Sequence, residues 1–183
     1  MLDNGSMRVS AKADYAIRAA AELAAADATV PLKAERIADA QGIPIKFLET
    51  ILLELKHAGI VRSQRGPDGG YALAQPAAQI NLADVIRAVD GPLANVRGDR
   101  PENTTYTGAA KPLTDVWIAV RAALREILEQ TTLADLAAGA LPARVTNLAA
   151  NPEAWLSLGR FPGTGRPEAR TDTAAANPDL TPR

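Results

Sequence analysis

The stretch RSQRGPDGGYALAQ, residues 62–75, sets Pro67, Asp68, Gly69 and Gly70 between two short strand-like runs. Pro67 presets a bend, and Gly69 and Gly70 can take positive φ, so the stretch predicts a tight β-hairpin. The residues just before it read as a helix: in IKFLETILLELKHAG, residues 45–59, Leu48, Ile51, Leu52 and Leu55 repeat at i, i+3, i+4 and i+7, and Gly59 ends the run. A shorter helix, LKAERIADAQG, precedes it and closes at Gly42 by the usual C-terminal glycine logic. Pro44 suits the first turn of the next helix, where a missing N–H costs nothing. Three or four residues around Gly42 therefore join two helices, which is helix-turn-helix spacing. A hairpin directly behind them gives the winged-helix order.

The flanking segments extend this pattern. RVSAKADYAIRAAAELAAAD reads as a helix with Ser10 as N-cap and Ala16, Ile17, Ala20, Leu23 and Ala24 on one stripe. DATVP breaks it. After Pro76, INLADVIRAVDG is a helix capped by Asn81, with Asp84 in a capping-box-like place. Residues 92–112, PLANVRGDRPENTTYTGAAKP, read as a loop rich in Pro, Gly, Thr and Asn, and loops this long are usually functional or mobile. LTDVWIAVRAALREILEQ is the longest amphipathic helix, with Leu113, Val116, Trp117, Val120, Leu124, Ile127 and Leu128 on one face. That face is too apolar to stay solvated. TTLADLAAG is a last short helix with Thr132 and Asp135 as its capping pair.

The expected organisation has four parts. Residues 1–6 are a patternless extension or expression remnant. Residues 7–76 form the winged helix-turn-helix, and 77–139 hold a linker helix, the loop and the long helix. Residues 140–183 form a largely disordered tail, since six of the thirteen prolines fall there with little periodicity. Trp155, Leu156, Leu158 and Phe161 make one apolar cluster in the tail, either resting on the domain or serving as a docking motif. The fold class is mainly α with a small β-hairpin wing and a long dimerisation helix.

Composition sets limits on chemistry. The 183 residues are 47% hydrophobic and only 4% aromatic, so aliphatic side chains must build the core. There is no cysteine, which removes disulfides, thiolate catalysis and cysteine-held metals together. No apolar run reaches membrane-spanning length and no secretory pattern opens the chain, so a cytoplasmic location is expected. Net charge is −1, and residues 7–75 carry nine Lys/Arg against eight Asp/Glu, so any nucleic-acid affinity should be modest and strongly salt-sensitive. The single histidine, His57, lacks a triad setting, and no phosphate-binding glycine loop follows a strand; an enzyme is not expected.

Several blocks in a fixed order resemble one bacterial family, the Rrf-type regulators. They are MRVSAKADYAIRA, GIPIKFLETIL, VRSQRGPDGGYALAQP, INLADVIRAVDGPL and LTDVWIAV, and the resemblance covers about residues 7–139. The resemblance implies a winged-helix transcription factor, usually a homodimer through the long helix. It also implies, for many members, an iron–sulfur cluster held in the loop before that helix by three cysteines and one other ligand. Here the loop has no cysteine. Asp14 sits where some members use a carboxylate ligand, and Asp115 lies near the place of a ligating histidine in others. One carboxylate cannot hold a cluster, and no cofactor and no metal site is expected.

On this reading double-stranded DNA is the partner. Lys46, Glu49 and Thr50, early in the third helix and off its apolar stripe, would face base edges and phosphates. The alternative is an ordinary solvated helix face. Arg65 at the wing tip would enter a minor groove, Gly69 would keep the wing thin, and Arg62 would either join it or only flank the strand. Arg8 and Lys12 at the first helix's N-terminus would contact phosphate. Val116, Trp117, Val120, Leu124 and Ile127 would form the dimer interface. Tyr106, Asp115 and Trp117 would meet a small-molecule or protein effector. The leading expectation is a homodimeric repressor reading a pseudo-palindromic operator; the competing one is a protein-interaction adaptor that uses the fold without DNA.

Overall fold

The computed structural model describes residues 9–156. Arg8, Leu158 and Phe161 lie outside the described residues. The chain divides into two compact units, Met1–Arg144 and Val145–Arg183.

The first unit is built around one aliphatic core. α1 (Ala11–Ala25) starts where the Ser10 hydroxyl accepts from the Ala13 N–H at 2.9 Å. α2 (Ala34–Gln41) and α3 (Ile45–His57) follow, joined by a turn through Gly42. Leu48, Ile51, Leu52 and Leu55 of α3 are fully buried, together with Ala13, Ala16, Ala19 and Ala20 of α1 and Ile37 of α2. The alanines let α1 lie close to its neighbours, which suits a chain with few aromatics.

The wing is an antiparallel pair, β1 (Val61–Gln64) and β2 (Gly70–Leu73), in register Val61↔Leu73 to Gln64↔Gly70. Its glycines work differently from the expectation. Positive φ occurs at Gly66 (φ 109°), not at Gly69 or Gly70. Gly69 and Gly70 are needed for space instead. A Cβ on Gly69 would stand 2.8 Å from the Gly66 carbonyl oxygen, and one on Gly70 would fall on the Leu32 carbonyl. The reason for the second crowding is a bridge with no counterpart in the sequence reading. Leu32 and Tyr71 exchange backbone hydrogen bonds of 2.8 and 2.7 Å, so the lead-in to α2 is pinned to the wing.

α4 (Leu82–Asp90) is capped by Asn81, whose side chain accepts from the Asp84 N–H at 2.9 Å. The Asp84 carboxylate turns to Arg87 at 3.0 Å, so only half of a capping box forms. α5 (Leu113–Leu128) is the longest helix, and none of its residues is buried. α6 (Leu133–Ala138) carries the full capping box of Thr132 and Asp135. The Thr132 N–H and then its hydroxyl hold the Asp135 carboxyl below its ordinary value.

The boundary expected at residue 76 is crossed by the core. Leu133, Val85 and Val89 are buried in the same cluster as α1 and α3. Two backbone hydrogen bonds of 2.9 Å, Leu82 to Thr131 and Leu133 to Ile80, bring the chain after α5 back beside the start of α4. The expected tail also changes. α7 (Ala143–Ala149) is a helix, and a one-turn helix follows at Pro152–Trp155. Pro142 stands just before α7, the position where proline starts helices instead of breaking them. In the second unit the Trp155 indole N–H donates to the Ala149 carbonyl at 2.6 Å while its ring stays exposed. Among the described residues no helix is long and apolar enough to cross a membrane.

Gly70→Ala should destabilise the fold by about 2–3 kcal/mol, because the methyl meets backbone that cannot swing away. Urea unfolding measures this, and an unchanged midpoint would show that the Leu32–Tyr71 bridge yields at no cost.

Candidate nucleic-acid interface and loop

Burying one side of α3 leaves the other side to solvent. Lys46 is 89% exposed along its side chain, and its Nζ lies 3.2 Å from the Glu49 carboxylate. The Thr50 hydroxyl donates to the Lys46 carbonyl at 3.3 Å. The three residues thus stand together on one exposed face. A surface pair of this kind contributes about 0–1 kcal/mol, so Lys46 can exchange Glu49 for another anion at little cost. Phe47, 41% exposed, projects from the same turn and is propped edge-on by Tyr15 at 5.7 Å, with the Arg18 guanidinium over the Tyr15 ring.

Arg65 is exposed at the wing and makes no hydrogen bond or ion pair among the described residues. Arg62 is committed elsewhere, its Nη2 donating to the Ala28 carbonyl at 3.2 Å. Lys12 is a correction. Its ammonium donates to the Val89 carbonyl at 2.8 Å and lies 2.7 Å from Glu54 Oε2. Glu54 Oε2 accepts no hydrogen bond, so that second contact is an ion pair by proximity alone. Lys12 therefore ties α1 to the C-terminal end of α4, where outward carbonyls attract cations, and it is not held out for phosphate. Lys33 and Arg36, at the start of α2, are exposed cations without a partner among the described residues, and the sequence reading passed over them. The Leu32–Tyr71 bridge sets Lys33 beside the wing, a long-range placement that no local pattern signals.

The loop between α4 and α5 is more ordered than its composition suggested. Val96 and Asp99 exchange backbone hydrogen bonds of 2.8 and 3.0 Å around Arg97 (φ 54°) and Gly98 (φ 83°). Positive φ at both central residues is the mark of a type I′ turn. The Asp99 carboxylate accepts from the Asn103 side-chain amide and the Arg100 N–H, in that order of effect, and is held below its ordinary value. Pro101–Asn103 forms a one-turn helix with Pro101 buried, and Glu102 pairs with Arg121 of α5. The Arg97 guanidinium lies 5.8 Å from the Tyr106 ring centre, and Tyr106 Oη accepts from the Trp117 indole N–H at 3.1 Å. Tyr106 and Trp117 are thus brought together. Asp115, exposed on the first turn of α5, makes no side-chain bond to either among the described residues.

The α5 face is half covered. Val116 is 50% exposed, while Trp117, Val120, Leu124 and Ile127 are each partly open.

A family model described as Rrf2, iron-dependent transcriptional regulator, matches residues 9–139. An HTH-type transcriptional regulator of Mycobacterium tuberculosis is 52% identical over 143 residues, 78% of this chain and 89% of that protein. CymR of Bacillus subtilis is 33% identical over 131 residues, 72% and 90% of the two chains. The solved structure of that CymR, titled the global cysteine regulator, superposes with a TM-score of 0.63 at 31% identity, covering 73% of this chain and 98% of its own. IscR of T. potens does so with a TM-score of 0.60 at 30% identity, covering 74% and 89%.

The iron in the family description meets an unsuitable donor set here. The chain has no thiol. The loop carboxylates Asp99 and Glu102 are engaged by Asn103 and Arg121, and Asp14 lies 3.2 Å from Arg18. His57 is at the far end of α3. Among the described residues no three His, Cys, Asp or Glu side chains converge. These residues do not fit a thiolate-held cluster. Protein made anaerobically should therefore purify colourless and iron-free. A visible absorption band with stoichiometric iron would refute the donor argument.

Proposed function

The chain belongs to the Rrf2 family of transcriptional regulators, and from that premise we propose that it binds operator DNA as a homodimer and represses by occluding the promoter, without an iron–sulfur cluster. The observation that carries the reading is the pairing of two displayed elements in one compact unit: the open face of α3 with Lys46, Glu49 and Thr50, and the unpaired Arg65 at the wing. α3 would lie in a major groove with its N-terminal turns toward the bases, and Arg65 would enter the adjacent minor groove. Lys33 and Arg36 would add phosphate contacts. Arg62 would steady the wing, and Gly69 would keep it thin enough to approach the sugar–phosphate backbone.

Dimerisation is supported by α5. A helix with none of its residues buried, yet with Val116, Trp117, Val120, Leu124 and Ile127 along one side, needs a second surface to cover it. A symmetry mate of the same helix is self-complementary. Two readers held about one helical turn of DNA apart, on the order of 34 Å, would then require a pseudo-palindromic site. An adaptor that ignores DNA would use the same fold, and a gel shift with the gene's upstream region separates the two.

Arg65→Ala should weaken specific binding by about 1–3 kcal/mol. Lys46→Ala should lower affinity together with the salt dependence of binding, the mark of a lost phosphate contact. Unchanged operator affinity in both would remove this surface from the interface. Separately, Leu124→Asp with Ile127→Asp should give monomers in sedimentation and abolish operator binding. A wild-type protein that is monomeric at micromolar concentration would overturn the dimer.

A further inference from the structure

We propose that the cleft between α4, the loop and α5 binds a small multivalent oxyanion, and that this anion adjusts operator affinity. The second half rests on the regulatory reading above. The cleft is an open surface depression of about 510 Å³, wide enough to admit a small ligand. Four arginines reach it from three elements: Arg87 from α4, Arg121 and Arg125 from α5, and Arg100 from the loop. Glu102 is the single carboxylate among the lining residues.

These arginines are only partly satisfied. Arg87 spends both terminal nitrogens on Asp84 and Glu129. Arg121 spends one on Glu102, and Arg125 gives its Nε to Glu129 at 2.9 Å. Arg100 makes no direct side-chain hydrogen bond or ion pair among the described residues, and its charge acts on Asp99 and Glu102 only through space. Each guanidinium has five N–H donors in a fixed fork, so several remain for a ligand. That fork matches the paired oxygens of carboxylates and phosphates. Arg121 and Arg125 are four residues apart and so share one side of α5. A ligand with two or more anionic groups is the chemistry that answers this set.

The position gives the ligand something to move. Glu102–Arg121 is an ion pair that fastens the loop's one-turn helix to α5. An anion on Arg121 and Arg100 competes with Glu102 for it. Arg87 belongs to α4, which packs on α1 and α3 of the reading domain. A bound anion therefore touches the reading domain, the loop and the proposed dimer helix at once.

The test uses the full chain with sodium citrate and with pyrophosphate, which separate carboxylate from phosphate recognition, at ionic strength held constant with chloride. One of them should raise the melting temperature saturably. Calorimetric affinity should fall about tenfold in Arg100→Ala and in Arg125→Gln, the loss expected for one charge-assisted contact. The same anion should shift operator affinity of the wild type by about fivefold or more in gel shifts. Arg100→Ala should bind operator normally without anion and lose that response. Equal, unsaturated stabilisation of wild type and variants would overturn the site as a general salt effect. Saturable binding without any change at the operator would overturn the effector role alone. Failure of the anion-free protein to bind any DNA would overturn the regulatory reading and leave the cleft standing. Weakened operator binding by anion-free Arg100→Ala would mark these arginines as DNA contacts and sink the proposal.

Discussion

Two backbone hydrogen bonds, Leu82 to Thr131 and Leu133 to Ile80, close the excursion that runs from the end of α4 through the loop and α5. Leu133 is then buried among α1, α3 and α4, and the Thr131 hydroxyl finishes α5 by donating to the Ile127 carbonyl at 2.8 Å. Both ends of the excursion are anchored in the reading domain, so its middle can be lightly packed without loosening the domain. That arrangement lets α5 keep all its residues at least partly open while the segment behind it stays anchored. It also puts the arginine cleft where the excursion leaves the core.

The polar contacts divide along the same line. In the reading domain they act as fasteners: Ser10 to Asp90, Lys12 to Val89 and Arg62 to Ala28 each span a long stretch of sequence to hold two elements together. In the loop they are local and networked, with Asp99 gathering Arg100 and Asn103, the Arg97 guanidinium over the Tyr106 ring, and the Tyr106 hydroxyl accepting from the Trp117 indole N–H. A loop of this composition would be expected to wander. The backbone-bonded I′ turn and the side-chain network give it shape without a metal ligand set, in a family whose description invokes iron. The backbone at Ala94 and Arg97 adopts φ near 54° without glycine, a conformation held only where the surroundings determine it.

Local signals in the sequence were readable because the physics behind them is local. Ser10, Asn81 and Thr132 cap the helices expected of them, and the stripe on α3 is buried as its spacing requires. What escaped depends on distant partners. Lys12 looks like a phosphate ligand until α4 is folded against it. Gly69 and Gly70 look like turn residues until Gly66 and Leu32 occupy the space their side chains would need. The Arg97–Gly98 turn lacks the Asn-Gly signature of its type, and α7 begins behind a proline in a segment that composition marks as unstructured. Of the candidate site, the exposed half of α3 and Arg65 followed from periodicity and turn chemistry. Lys33 and Arg36 did not, because only the bridge to the wing reveals where α2 begins in space.

That bridge constrains how any signal can act. With Leu32 locked to Tyr71, the lead-in to the helix-turn-helix and the hairpin form a single stiff caliper jaw. A jaw of that kind cannot be retuned by bending one part of it. Control over such a protein must instead act on where the whole jaw is held, so that the tool keeps its edge and loses only its gauge.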